Sequence, residues 1–356
     1  MKSANINNID CKTSNKVRAE IMSLPGFPYQ VAFINLKNKS DPSAVVKKDK
    51  LHLIIASDRH SYSKKDRIFP TNQDENTVFA QYVYNDSKNR KYGKILDVAT
   101  GSGIIAMASA KAGVKDVIAT DINKRSEDFI KINNSLNKTD IKFVKSDLFK
   151  NIRDRFDKIT INPPFMPAPA GTFPLHAQGG PLGMENAVCP FFRDVWDHLT
   201  PGGCIQGIFH SFANDKSDSV LDLIEKKLPR GWSYDIRHVF PIKNMPLELY
   251  TSAFVAQKGY DQWLGTIHKK GYEYVRFYML TIRNNAKNGL QTESFSKPRR
   301  YNLIYPPTTL DALKLKLKTK ILKKPVSERD FPAIGHLMRL SRYNYIVYLT
   351  LISLFE

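Results

Sequence analysis

A chain of 356 residues, 42% of them hydrophobic and 11% aromatic, has room for one large domain with extensions or for two domains, and can bury a real core. Its three cysteines, Cys11, Cys189 and Cys204, share no short spacing. That argues against a disulfide scaffold or a zinc cluster, so no metal site is expected, and it fits a reducing, cytoplasmic setting. The net charge of +20, from 54 basic and 34 acidic residues, is unevenly spread. It favours attraction to a polyanion such as RNA, the ribosome or an anionic membrane; the plainer reading is a composition rich in Lys and Asn. The first residues contain no continuous apolar stretch, and no run reaches the ~18 apolar residues of a spanning helix, so neither a secretory signal nor a transmembrane segment is expected.

Residues 1–68 read as an N-terminal extension, either a cap or substrate-gripping segment or a packing flap with no substrate role. A short helix is predicted over Lys16–Leu24, closed by Pro25-Gly26-Phe27-Pro28, and strands over Tyr29–Leu36 and Leu51–Ala56. Within Arg67–Thr77, Asp74 or Asn76 is placed to cap a helix running through Tyr84. A polar, turn-rich run follows, Asn85–Arg90. From about Phe69 to Arg283 strand and helix then alternate. Strands fall at Lys94–Val98, Asp116–Thr120, Ile141–Lys145, Asp157–Asn162, Cys204–His210, Tyr234–Phe240 and Tyr274–Arg283. Helices fall near Ile104–Ala112, Ser126–Leu136, Ala187–Leu199 and Ser217–Leu228. This βαβα order predicts a doubly wound, Rossmann-like α/β core with a mostly parallel sheet, in which ligands bind at the carboxyl ends of the strands. The basic remainder, 284–356, is a C-terminal extension. In it Leu313–Lys318 alternates as a cationic strand, or begins a basic amphipathic helix to Lys324. The apolar Tyr343–Phe355 is too short to span a bilayer and fits core packing.

The core turns on Ile95-Leu96-Asp97-Val98-Ala99-Thr100-Gly101-Ser102-Gly103 and the apolar run after it. That is strand, tight glycine loop, helix. Small residues let a ligand approach the backbone, and the first helical N–H groups face it. A second acid, Asp121, closes the next strand about twenty residues on, where nucleotide-type α/β folds take ribose hydroxyls.

The glycine loop, Asp121, Ser146-Asp147-Leu148-Phe149 and Asn162-Pro163-Pro164-Phe165 come in the order and at the usual spacing of the motifs of class I S-adenosylmethionine-dependent methyltransferases. The region from about Phe69 to Arg283 resembles that family. The resemblance implies a seven-stranded sheet whose last strands form an antiparallel hairpin, here Tyr234–Phe240 and Tyr274–Arg283, leaving about 241–273 as an insertion. It also implies S-adenosyl-L-methionine as cofactor. Gly101 and Gly103 then pass under its methionine part, and Asp97 meets the loop or the cofactor's amino group. Asp121 takes the ribose, Ile122 packs on the adenine, Asp147 takes the adenine amino group and Leu148 supports the ring. The family usually has Gly where this chain has Ala99, so a slightly altered turn is expected there.

Asn162, Pro163 and Phe165 carry the acceptor chemistry, with Asn162 standing where donor and acceptor meet. The Asn162 side-chain oxygen and the Pro163 carbonyl can both accept from one NH2 group, and Phe165 offers a flat face for stacking. The two prolines stiffen the turn and remove N–H donors from it. The pattern resembles both nucleobase-amine methyltransferases and the HemK-type enzymes that modify protein glutamine; Gly179-Gly180-Pro181-Leu182-Gly183 is similar to the latter. The expected activity is N-methylation of a planar NH2 nitrogen in RNA or protein. A biosynthetic small-molecule methyltransferase and a non-catalytic RNA-binding module are the rivals. His176, His198 and His210 are candidate bases with a structural role favoured for each. The interleaved Tyr, Arg and Lys of Tyr272–Arg283 and Arg299–Tyr305 suit RNA stacking or a solvated sheet edge. Oligomeric state is left open.

Overall fold

In strand β3 (Lys94–Val98), Ile95 faces one apolar layer while Leu96 and Val98 face the other, the period-2 pattern of a strand covered on both sides. The computed structural model describes residues 29–35, 52–58, 66–69, 74–167, 176–239, 243–251, 258–284 and 292–295. The readings for Lys16–Leu24, Arg299–Tyr305, Leu313–Lys318 and Tyr343–Phe355 lie outside them.

Beside β3 run β4 (Asp116–Asp121), β5 (Lys142–Lys145), β6 (Phe156–Ile161), β9 (Leu199–Ala213), β10 (Trp232–His238) and β12 (Tyr274–Asn284). These are the seven expected strands. The short β11 (Met245–Pro246) and β13 (Thr292–Phe295) extend the sheet to nine, in the order β13-β10-β12-β9-β6-β3-β4-β5, with β11 on β12. Strand β12 runs antiparallel to β9 and to β10; the pairs β9–β6, β6–β3, β3–β4 and β4–β5 are parallel. Helices α1 (Asp74–Arg90), α2 (Ile104–Lys111) and α3 (Ser126–Asn137) bury residues in one layer, and α4 (Val188–Asp194) and α5 (Ser219–Lys227) in the other. The single helix expected over Ala187–Leu199 ends earlier: α4 tightens into a 3-10 turn, Val195–His198, and Leu199 already belongs to β9. Between β10 and β12 lie α6 (Leu247–Thr251) and α7 (Tyr260–Lys269).

The run Asn85–Arg90, expected as a turn, forms the last turns of α1. The reason is a polar cluster at the amino ends of the strands. Asp86 accepts from Lys158 Nζ at 3.0 Å, Arg283 Nη2 at 2.6 Å and the Tyr92 hydroxyl at 2.9 Å, and fully buried Lys158 also donates to Ser87 Oγ at 3.0 Å. Polar side chains that would favour solvent are held by the sheet. Burial pushes the Asp86 carboxyl up, but the Lys158 and Arg283 charges reverse it, leaving Asp86 below its usual range.

The expected RNA-facing character of Tyr272–Arg283 is not what the fold gives. β12 is an interior strand. Tyr278 is buried and donates to Asp218 at 2.7 Å; Arg276 bonds Asn244, Asp218 and the Asn214 carbonyl; Arg283 bonds Asp86. The cations of this stretch point to internal partners.

Strands β1 (Tyr29–Asn35) and β2 (His52–Asp58) pair antiparallel as a separate sheet, and the short β7 (Met166–Pro167) and β8 (Gln178–Gly180) pair parallel as another. Two asparagines of α3, one turn apart, act as a surrogate strand for the other edge of β2. Asn137 accepts from Ile54 N at 2.9 Å and donates to Ile54 O at 2.7 Å; Asn133 accepts from Ala56 N at 2.7 Å and donates to Ala56 O at 3.0 Å. Asn133 also donates to the Ser102 carbonyl at 2.7 Å, tying β2 to the glycine loop.

Candidate active site

The glycine loop opens where β3 ends. Thr100 N donates to Thr120 O at 2.9 Å and Gly103 N to Thr100 O at 2.8 Å, folding the loop over the end of β4. Gly101 and Gly103 have φ of 55° and 82°. The left-handed φ of Gly103 favours glycine, and a Cβ there would also push on the end of the Ile130 side chain, whose Cδ1 would lie 2.3 Å away. Ala99 has φ of 54°, the left-handed region, with a methyl that disfavours it. The altered turn expected from Ala99 is therefore a strained left-handed residue. Ala99→Gly is expected to raise stability by ~1 kcal/mol, read as a melting temperature higher by about 2–4 °C.

Asp97 lies buried beneath this loop. It accepts from Thr100 Oγ1 at 2.5 Å, Thr160 Oγ1 at 2.7 Å and Ala106 N at 3.2 Å, and so fixes the loop and the start of α2. Burial pushes its carboxyl up to about 6. Asp121 crosses from β4 to the loop: one oxygen accepts from Gly101 N and the other from Asn123 N, each at 2.8 Å. Burial raises its pKa as well. Carboxylates in this state gain from a cation arriving beside them.

Next to Asp121, Ile122 is 49% exposed, an unusual position for a large aliphatic side chain, and it lines the same hollow. Leu148 lines it too, with φ of 50°, and strain of this kind gathers at ligand sites. Asp147 is at the rim, half-exposed and ion-paired with Lys150. The segment 66–69 passes over the loop: Ile68 N donates to Asp58 at 2.7 Å, Asn123 Nδ2 to the Asp66 carbonyl at 2.8 Å, and the Ile68 side chain sits beside Gly101.

The Asn162-Pro163-Pro164-Phe165 turn leaves the end of β6. Asn162 Nδ2 donates to Asn76 Oδ1 at 2.7 Å. Asn76 was a candidate helix cap on sequence grounds; its side chain instead serves Asn162. Phe165 packs edge-on against Phe277 at 5.5 Å and lies parallel to His210 at 6.3 Å. The Gly179–Gly183 stretch is the seat of this turn. A Cβ on Gly179 would fall 2.7 Å from the Phe165 carbonyl carbon, and one on Gly183 2.4 Å from its oxygen. Trp263 of α7 holds the seat by donating to Pro181 O at 2.7 Å.

Asp97, Ala99, Gly101, Asp121, Ile122, Asp147, Leu148, Asn162, Pro163 and Phe165 all line one hollow at the carboxyl ends of the strands. Gly103 stands just behind it as the residue preceding α2. Of the histidines, His176 lines the hollow, 3.4 Å from Arg67 Nη2. His198 stacks on Phe149 elsewhere. His210 does not line the hollow: it is enclosed by aromatic rings, its ring nitrogens have no hydrogen bond among the described residues, and burial holds its pKa down to about 3, so it takes up a proton poorly. Sequence reasoning missed the Asn133 tie and the role of Asn76. A polar residue in the middle of an amphipathic helix is the one signal that pointed to Asn133.

A glycine loop and an acid at the ends of β3 and β4, facing an amide-bearing turn after β6 on the other side of β3, fit a Rossmann-like group-transfer enzyme. The family model described as methyltransferase small domain matches residues 77–217. A protein of Methanocaldococcus jannaschii, provisionally named protein N5-glutamine methyltransferase, is 31% identical over 156 residues, covering 42% of this chain and 75% of that one. The chain belongs to the class I S-adenosylmethionine-dependent methyltransferases: it is an enzyme, and S-adenosyl-L-methionine is its cofactor. The release factor glutamine methyltransferase of Lactococcus lactis subsp. lactis is 40% identical over 74 residues, 20% of this chain and 27% of that one. The ribosomal protein L11 methyltransferase of Lactobacillus acidophilus is 44% identical over 69 residues, 19% and 22%. The chain thus spans about a quarter of the length of these two relatives. Among the described residues, no helix is long and apolar enough to cross a membrane.

Proposed function

We propose that this protein methylates the side-chain amide nitrogen of glutamine in a protein acceptor. The observation that carries the reading is the acceptor end of the hollow. It is lined by the neutral amides of Asn162 and Gln178 together with the rings of Phe165 and Phe277. Such a lining suits an uncharged, planar group with both donors and acceptors. The names of the Methanocaldococcus and Lactococcus relatives support glutamine as that group.

The cofactor side fits the same scheme. Asp121 has lone pairs beyond those given to Gly101 and Asn123 for two ribose hydroxyls, and exposed Ile122 offers an apolar face for adenine. Asp147 can take the adenine amino group, and Leu148 can support its ring. When bound, the cofactor supplies a methyl group already activated by its sulfonium charge. The chain's own part is alignment. Asn162 Oδ1 and the Pro163 carbonyl accept the two N–H bonds of the acceptor and turn its lone pair towards the donor. Phe165 and Phe277 keep water from the nitrogen. Asn162 is no base, so the proton leaves after the new N–C bond has formed.

A second reading, an exocyclic amine of an RNA base, draws on the net charge of +20. The excess is concentrated in 1–68 and 284–356, and the cations of Tyr272–Arg283 are engaged internally. Transfer from radiolabelled cofactor into fractionated cell extract decides between them. Label removed by protease and resistant to ribonuclease is expected; label removed by ribonuclease, or found in small metabolites, overturns the glutamine reading.

A further inference from the structure

We infer that Asn76 is a positioning residue that sets the hydrogen-bonding polarity of the acceptor site. The inference rests on the role proposed for Asn162. A side-chain amide has one accepting end and one donating end. An NH2 acceptor brings donors, so Asn162 is useful only with its oxygen turned to the hollow. Rotated by half a turn, it would set N–H against N–H. The two prolines that follow Asn162 have no N–H to offer its side-chain oxygen.

The fixing group comes from 86 positions earlier in the chain: Asn76 Oδ1 accepts from Asn162 Nδ2 at 2.7 Å. With its nitrogen engaged there, Asn162 has its oxygen left for the acceptor. Asn76 is 6% exposed and lines the same hollow as Asn162. It stands in the first turn of α1, a helix anchored along its length by buried Phe79, Val83 and Tyr84 and at its far end by Asp86. A rigid helix of this kind is a suitable support for a group that must hold another in one orientation.

The test compares Asn76→Asp with Asn76→Leu in the full chain. Asp keeps an oxygen that accepts from Asn162 and removes the option of donating; Leu keeps the bulk and removes the acceptor. Readouts are the affinity for S-adenosylhomocysteine by calorimetry, the melting temperature, and the rate of label transfer into the protein fraction of cell extract, with Asn162→Ala alongside. Asn76→Leu is expected to lose about 100-fold in rate with unchanged cofactor affinity and fold, and Asn76→Asp to stay within about threefold of wild type. An active Asn76→Leu, equal losses in both variants, or a loss confined to cofactor affinity would overturn the inference. Wild-type activity in Asn162→Ala would instead overturn the underlying role of Asn162, so the two failures are distinguishable.

Discussion

Replacing Asn162 with alanine is expected to lower methyl transfer by about 10²- to 10³-fold, the usual effect of removing one hydrogen bond made to the reacting group. In the proposed reading, Asn162 Oδ1 is the side-chain acceptor that the turn after β6 offers to an incoming NH2. Alanine leaves the Pro163 carbonyl alone to orient a freely turning group. Cofactor affinity should stay near wild type. The glycine loop, proposed to hold the cofactor, is built by other bonds: Asp97 to Thr100, Thr160 and Ala106, and Asp121 to Gly101 and Asn123. Initial rates with labelled cofactor, set beside calorimetric titration with S-adenosylhomocysteine, measure the two effects separately. A parallel fall in both would mean that Asn162 supports the cofactor pocket and not the acceptor.

The second large effect is on stability. Asp86→Ala is expected to destabilise the fold by about 3–5 kcal/mol, because it leaves Lys158 buried without its counter-charge and Arg283 without its closest anionic partner. For a core of this size that is a fall in melting temperature on the order of 10 °C. Lys158 has Ser87 Oγ at 3.0 Å as a remaining partner, but a hydroxyl does not replace a carboxylate. Asp86 is at the opposite end of the strands from the hollow. The folded fraction of the variant should therefore bind cofactor as the wild type does. Unchanged thermal denaturation would show that the cluster relaxes or admits water at little cost.

What could be read from the sequence is what neighbouring residues decide. The glycine loop, Asp121 at the end of the next strand and the Asn162–Phe165 turn are each legible from local sequence, and strand alternation placed all three at the same edge of a parallel sheet. What could not be read depends on partners far along the chain. Asn85–Arg90 has the composition of a turn; it is helix because Lys158 and Arg283, 72 and 197 positions from Asp86, take its carboxylate. Asn133 and Asn137 look like ordinary polar residues of an amphipathic helix until β2, 77 and 83 positions away, lies against them. Tyr278 and Arg276 have the composition of a nucleic-acid surface, and only the interior place of β12 turns them inward. Asn76 differs in kind. Its position near a helix start was legible, but a short polar side chain there has two possible targets, the helix backbone and a neighbouring element, and the sequence favours the first.

The claim on which the functional reading rests is that the turn after β6 selects a planar NH2 nitrogen. Tandem mass spectrometry of the acceptor after reaction tests it most directly. A single methyl group on a glutamine side-chain nitrogen is the expected result. A methyl group on oxygen, on carbon or on a basic amine would contradict it, since the first two present no paired N–H bonds and a basic amine is neither planar nor uncharged.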